Sequence, residues 1–129
     1  MGKVAIVTGG TRGIGGATSK ALRDAGYSVA ANYGGNDKRA RQFTDETGIP
    51  AYKWDVSDYD ACITGVAQVT NDLGPVEVLV NNAGIVDAAD GPPTTAATEA
   101  TRRIMETNFI GTLAVTQAML PLLRQSQAA

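Results

Sequence analysis

The chain has 129 residues, 43% hydrophobic and 19% charged, which suits one compact domain over 1–129 that buries a core without disulfides or metals. Its 13 acidic and 11 basic side chains leave a formal net charge of -2. The basic ones are scattered except near Lys38, Arg39 and Arg41, so no nucleic-acid footprint is expected. Cys62 is the only cysteine and histidine is absent, which excludes an intrachain disulfide, a Cys/His zinc site and any Ser-His-Asp or Cys-His pair.

Lys3 is followed only by the short apolar run Val4 to Val7 before Thr8 and two glycines, too little for a secretory signal. The longest uncharged run, Thr107 to Leu123, carries Asn108, three threonines, Gln117 and Pro121, a poor fit to a lipid-facing helix. The expectation is a soluble, cytoplasmic protein with no membrane partner.

In chain order, Val4 to Thr8 reads as a strand buried on both faces, ending in a glycine turn. A helix follows from Ile14, with Ile14, Ala17, Ala21, Leu22 and Ala25 on its apolar face and Gly26 as its C-terminal stop. Ser28 to Tyr33 reads as a second strand, Asp37 to Thr47 as a short helix and Ala51 to Val56 as a third strand, punctuated by Gly34, Gly35 and Pro50. Ser57 is placed as N-cap of a helix whose stripe is Tyr59, Cys62, Val66, Val69 and Leu73, and Gly74-Pro75 stops it. Val76 to Val80 is a fourth buried strand. The loop from Val86 to Thr95 then leads to one long helix from about Thr98 to Gln127, which at 1.5 Å per residue would span roughly 45 Å and so bends near Pro121 or projects. Strands alternating with helices argue an α/β fold, an open parallel sheet with right-handed crossovers.

The first strand runs into Thr8-Gly9-Gly10-Thr11-Arg12-Gly13-Ile14-Gly15. Glycines there permit positive φ and close backbone approach to a pyrophosphate, while the helix start supplies free N–H groups and partial positive charge. A Walker A loop is excluded, because Gly16 stands where its lysine would be. The end of the second strand, Ala30-Ala31-Asn32-Tyr33-Gly34, has no acid of the kind that binds a ribose 2′-hydroxyl. Arg12 lies inside the glycine loop, where a guanidinium can bond a 2′-phosphate. NADP(H) is therefore expected over NAD(H). Lys38, Arg39 and Arg41 could add to the field of Arg12, but a solvated helix face is the first reading of those three; Trp54 reads as a packing residue and Cys62 as buried filler.

The glycine loop, Asp55-Val56 after the third strand, Asn81-Asn82-Ala83-Gly84 after the fourth and Thr107-Asn108-Phe109-Ile110-Gly111 in the long helix together resemble the short-chain dehydrogenase/reductase family. They stand in family order at family spacing. The stretch to about Ile85 is most similar to acetoacetyl-CoA and 3-oxoacyl thioester reductases. The resemblance implies a Rossmann-type doubly wound sheet, truncated after the fourth strand and the long helix. The cofactor set it implies is Gly9, Thr11, Arg12, Gly13, Ile14 and Gly15 around the pyrophosphate, Tyr33 at the second strand's end, and Asp55 with the Val56 backbone at the adenine. Asn82, Ala83 and Gly84 complete it on the ribose side, with Asn81 bracing the sheet. Asn108 matches the family's catalytic asparagine, which acts through a helix carbonyl that holds a water.

The same resemblance calls for a catalytic serine and a Tyr-x-x-x-Lys pair. Tyr27, Tyr33, Tyr52 and Tyr59 are followed four residues on by Ala31, Asp37, Val56 and Ile63, so this chain holds no such pair and hydride transfer by it alone is not expected. The readings left are a dinucleotide-binding half of an NADP(H)-dependent ketone reductase and, alternatively, a non-enzymatic truncated or engineered scaffold or interaction module. A homo-oligomer is expected through the long helix and the exposed fourth strand. Ile104, Val115, Ala118 and Leu122 make one apolar stripe of that helix, and Phe109, Leu113 and Leu120 a second. The family dimerises through this helix and the next.

Overall fold

A computed structural model describes residues 2–126. The strands are β1 (Val4–Val7), β2 (Ser28–Tyr33), β3 (Ala51–Lys53) and β4 (Val76–Val80), all parallel and ordered β3-β2-β1-β4. Between them run α1 (Gly13–Asp24), α2 (Asp37–Thr47) and α3 (Tyr59–Leu73). Beyond β4 come α4 (Thr98–Met105), a π-helical turn (Glu106–Gly111) and α5 (Thr112–Leu123). Order and direction are those of a Rossmann-like half-sheet, which reverses its winding between β1 and β4.

All four β1 residues are buried, as a strand covered on both faces requires. Val4 and Ile6 join Val66 and Val69 of α3 and Val115 and Met119 of α5 on one face. On the other, Val7 joins Val29, Ala31, Phe43 and Ile49. Trp54 packs into the first cluster at 5% exposure, over Gly65, where a side chain would overlap its ring. Cys62 is fully buried beside it.

Several boundaries and faces differ from the sequence reading. The outward face of α1 carries Ile14, Ala17, Ala21 and Ala25. Gly15, Gly16 and Ser19 are the buried positions, and Leu22 is half-buried. The cause is close approach: a Cβ at Gly15 would overlap the Gly9 carbonyl, and the Ser19 hydroxyl donates to the Gly10 carbonyl at 2.9 Å. The residues that let α1 reach the loop are thus its smallest, not its most apolar. β3 ends at Lys53 rather than Val56, because the chain turns where Asp55 Oδ1 accepts from the Ser57 N–H at 2.9 Å. Asp58, not Ser57, caps α3, its carboxylate accepting from the Ala61 N–H at 3.0 Å. Tyr59 of the expected stripe is exposed.

The long helix is interrupted by its π-helical turn, which inserts a residue into the ladder and leaves Gly111 against Val56, 2.7 Å from where a Cβ would meet Val56 Cγ2. Val115 is fully buried, Ile104, Ala118 and Leu122 partly so, and Leu120 of the second stripe is half-buried. Pro121 lies within the last turn of α5, and the helix ends at Leu123. The expected end at Gln127 lies outside the described residues.

Candidate nucleotide-binding site

At the carboxyl ends of the strands lies a cleft of about 850 Å³, at the winding reversal where open α/β sheets bind ligands. Gly9 and Gly13 have φ of 61° and 54°, the left-handed region that glycine enters without strain. A Cβ at Gly9 would stand 3.1 Å from Ala83 Cα, so the loop is pressed against the segment after β4.

Three polar side chains fix that arrangement. The Thr8 hydroxyl accepts from the Asn82 and Ala83 N–H groups, each at 3.0 Å. Asn82 Nδ2 donates back to the Thr8 and Gly9 carbonyls at 3.1 and 3.2 Å. Asn32, 1% exposed, donates to the Trp54 carbonyl at 3.0 Å and accepts from the Gly9 N–H at 3.4 Å. Asn32 therefore joins the ends of β1, β2 and β3 through backbone groups that would otherwise be unsatisfied.

Gly9, Thr11, Arg12, Gly13, Tyr33, Asp55, Val56, Asn82, Ala83 and Gly84 line the cleft, together with Asn32, Arg39, Ile85 and Thr107. Two expected members do not line it. Ile14 stands 81% exposed at the start of α1, and Gly15 is buried beneath Gly9. Arg39, read from sequence as part of a solvated helix face, lines the cleft as Arg12 does. Neither guanidinium pairs with a carboxylate among the described residues. Asp55 Oδ1 accepts from both the N–H and the hydroxyl of Ser57, at 2.9 and 2.7 Å, which leaves Oδ2 available.

Asn81 and Asn108 brace the cleft from behind. Asn81 donates to the Thr116 hydroxyl at 3.0 Å. Asn108 Oδ1 accepts from the Ile85 N–H at 2.8 Å, and its Nδ2 donates to the Ile85 carbonyl at 3.0 Å. The Asn108 carbonyl accepts the Thr112 hydroxyl at 3.1 Å. The loop beyond is tied to α4 by the Asp87–Arg103 ion pair. A bond from the Ala89 N–H and then this arginine hold the Asp87 carboxyl below its usual range.

At the rim, the Tyr33 hydroxyl donates to Asp37 Oδ1 at 3.0 Å and the Lys53 ammonium lies 3.1 Å from the same oxygen. Lys53 first, and Tyr33 after it, hold the Asp37 carboxyl below the usual range. Desolvation and then Asp37 raise the Tyr33 phenol.

This geometry has known counterparts. A family model described as short chain dehydrogenase matches residues 3–129. Acetoacetyl-CoA reductase of Paracoccus denitrificans is 69% identical over 85 residues, 66% of this chain and 35% of that protein. A Staphylococcus aureus 3-oxoacyl-[acyl-carrier-protein] reductase is 38% identical over 90 residues, 37% of its length. Among solved structures, a double mutant of a Serratia marcescens short-chain dehydrogenase/reductase superposes with a TM-score of 0.87 at 30% identity, covering 95% of this chain and 51% of that one. A Pseudomonas syringae chain described as a short chain dehydrogenase gives 0.87 at 26% identity, covering 98% of this chain and 55% of its own. The chain thus spans about a third of the curated relatives and half of the solved ones. With the family model matching nearly its whole length, this chain belongs to the short-chain dehydrogenase family.

Proposed function

We propose that the cleft binds NADP(H), as the cofactor-holding part of a ketone reductase that acts on a 3-oxoacyl or acetoacetyl thioester. The observation that carries this reading is the pairing of a backbone-lined glycine turn with two guanidinium groups, Arg12 and Arg39, that lack carboxylate partners among the described residues and share one cleft. An anionic ligand with a phosphate at each position is what such a surface stabilises.

In this assignment the Gly9–Gly13 turn and the start of α1 hold the pyrophosphate, with Ile14 beside it. Arg12 and Arg39 bind the 2′-phosphate near Tyr33. Asp55 Oδ2 accepts from the adenine amino group next to the Val56 backbone, and Asn82, Ala83 and Gly84 face the ribose on the nicotinamide side. A bound reduced nicotinamide would supply the hydride for a carbonyl carbon. Asn108 is a positioning residue: its side chain fixes Ile85, and its carbonyl is the group to which the family resemblance assigns a water. The carbonyl oxygen also needs a proton donor. Since this chain holds no Tyr-x-x-x-Lys, it binds nucleotide and does not turn over by itself. The 63–69% identity to acetoacetyl-CoA reductases supports the thioester class.

A thermal melt tests the reading. Ligand at a hundredfold excess over its dissociation constant stabilises the native state by about 2.7 kcal/mol, and NADPH raises the midpoint more than NADH. Acetoacetyl thioester with NADPH gives no enzyme-dependent loss of nicotinamide absorbance. A folded chain whose midpoint ignores millimolar nucleotide is instead the non-enzymatic scaffold, and the proposal fails.

A further inference from the structure

An acid lies at the rim of the cleft after all, four residues beyond Tyr33, and the fold has disarmed it. Tyr33 and Lys53 are register partners on the parallel strands β2 and β3, so their side chains stand side by side. Asp37, in the first turn of α2, closes over both: Tyr33 Oη at 3.0 Å, and Lys53 Nζ at 3.1 Å from Oδ1 and 3.3 Å from Oδ2. Tyr33, Asn36 and Arg39 line the cleft on either side of Asp37 in sequence, while Asp37 itself faces the neighbouring groove.

We propose that Lys53 is a specificity-determining residue for the phosphorylated dinucleotide, acting through Asp37 by neutralising this carboxylate at the rim of the cleft and holding it toward the neighbouring groove. The inference rests on the NADP(H) reading above and extends it to a residue that does not line the cleft. Without Lys53, Asp37 would leave an uncompensated negative charge at the rim, two residues before Arg39, which repels a 2′-phosphate, and would offer an acceptor to an unphosphorylated ribose hydroxyl. With Lys53 in place, the pair is neutral and both arginines keep their full attraction. The Tyr33 hydroxyl bond fixes the carboxylate in this orientation, so the phenol is spent on Asp37.

The test is the ratio of NADPH to NADH dissociation constants, read by nicotinamide fluorescence titration of the whole chain. Lys53→Met is expected to weaken NADPH about fivefold relative to NADH, the scale on which one unit charge acts on a doubly charged phosphate within a Debye length. The change shrinks at about 0.5 M salt. Adding Asp37→Asn to Lys53→Met returns the ratio to that of the unaltered chain. A ratio unmoved by Lys53→Met overturns the inference and leaves the NADP(H) reading standing. A double variant that stays weak overturns it too, because Lys53 then touches the phosphate directly. Failure of the unaltered chain to bind either nucleotide removes both. Should circular dichroism show Lys53→Met unfolded, Lys53→Gln carries the same expectations.

Discussion

Asn82 ties two segments of the cleft together with one side chain. Its amide spans the Thr8 and Gly9 carbonyls while its backbone N–H reaches the Thr8 hydroxyl, so β1, the glycine turn and the segment after β4 are locked as one unit. Asn82→Ala leaves two carbonyls without their donor. A loss of about 1–3 kcal/mol is expected, read as a lower urea midpoint with an unchanged slope, together with weaker nucleotide binding. At the opposite side of the sheet, burial first and the Asp58 and Asp55 charges after it push the Cys62 thiol up to about 11. Burial and the bond to Asp72 push the Tyr52 phenol up to about 12. Both groups are neutral in the fold and ionise sooner in the unfolded chain. Their contribution to stability is therefore complete below pH 9.0, the ordinary thiol value, and is lost as pH rises through about 11 and 12. Urea melts from pH 8 to 11 should show a decline that is shallower in Cys62→Ala.

The residue scale also marks where sequence is readable. The glycine turn, Asp55 and Asn82 announce themselves because their chemistry is local: positive φ, a strand-end carboxylate, a turn amide. Asn32 and Arg39 do not. Asn32 looks like any polar strand end until β3 is laid beside it and its buried amide proves to donate to the Trp54 carbonyl. Arg39 turns into the cleft because of how residues 34–36 connect β2 to α2, a path no periodicity encodes.

At the scale of elements, apolar periodicity placed every strand and helix yet misassigned the inner face of α1. Hydrophobic pattern reports which residues prefer burial, but distance between α1 and the loop is set by volume, and at Gly15 even a Cβ would overlap the Gly9 carbonyl. The same rule operates in α3. Gly65 faces the Trp54 ring with no room for a methyl group, so Gly65→Ala gains helix propensity of about 1 kcal/mol and loses about 1–3 kcal/mol to overpacking. Net destabilisation is expected in a denaturant melt. Trp54→Leu in the same chain should turn the substitution neutral or stabilising, since the obstruction is the ring itself. The π-helical turn was likewise invisible: Thr107 to Gly111 carries no residue that forbids an α-helix. The insertion follows from Asn108 reaching Ile85 while Gly111 seats on Val56.

For the whole molecule the question is what covers its uncovered apolar surface. β4 pairs with β1 on one side, and among the described residues no strand pairs on its other side. Four of its five residues are only half-buried. Along the adjoining helix, Met105, Phe109, Ile110 and Leu113 are 50%, 61%, 45% and 48% exposed, forming a stripe opposite the one that Val115 and Met119 bury. The sequence reading held Phe109 and Leu113 of this stripe but lacked Met105, one helical turn before Phe109, and Ile110, which lies in the π-helical turn. Exposed apolar side chains grouped in this way are the pattern expected of an association surface. Two copies packing helix against helix would bury both stripes in one self-complementary contact, and a strand added at β4 would satisfy its open edge. The expected outcome in size-exclusion chromatography with light scattering at micromolar concentration is a species of twice the 13.3 kDa chain mass. Phe109→Lys and Leu113→Lys should each shift it to monomer while circular dichroism stays unchanged. Both side chains are solvated in the single copy, and a lysine there costs energy only when a partner buries it. A stable 13.3 kDa monomer before any substitution defeats the prediction. A dimer indifferent to both lysines would move the contact from the helix stripe to the β4 edge.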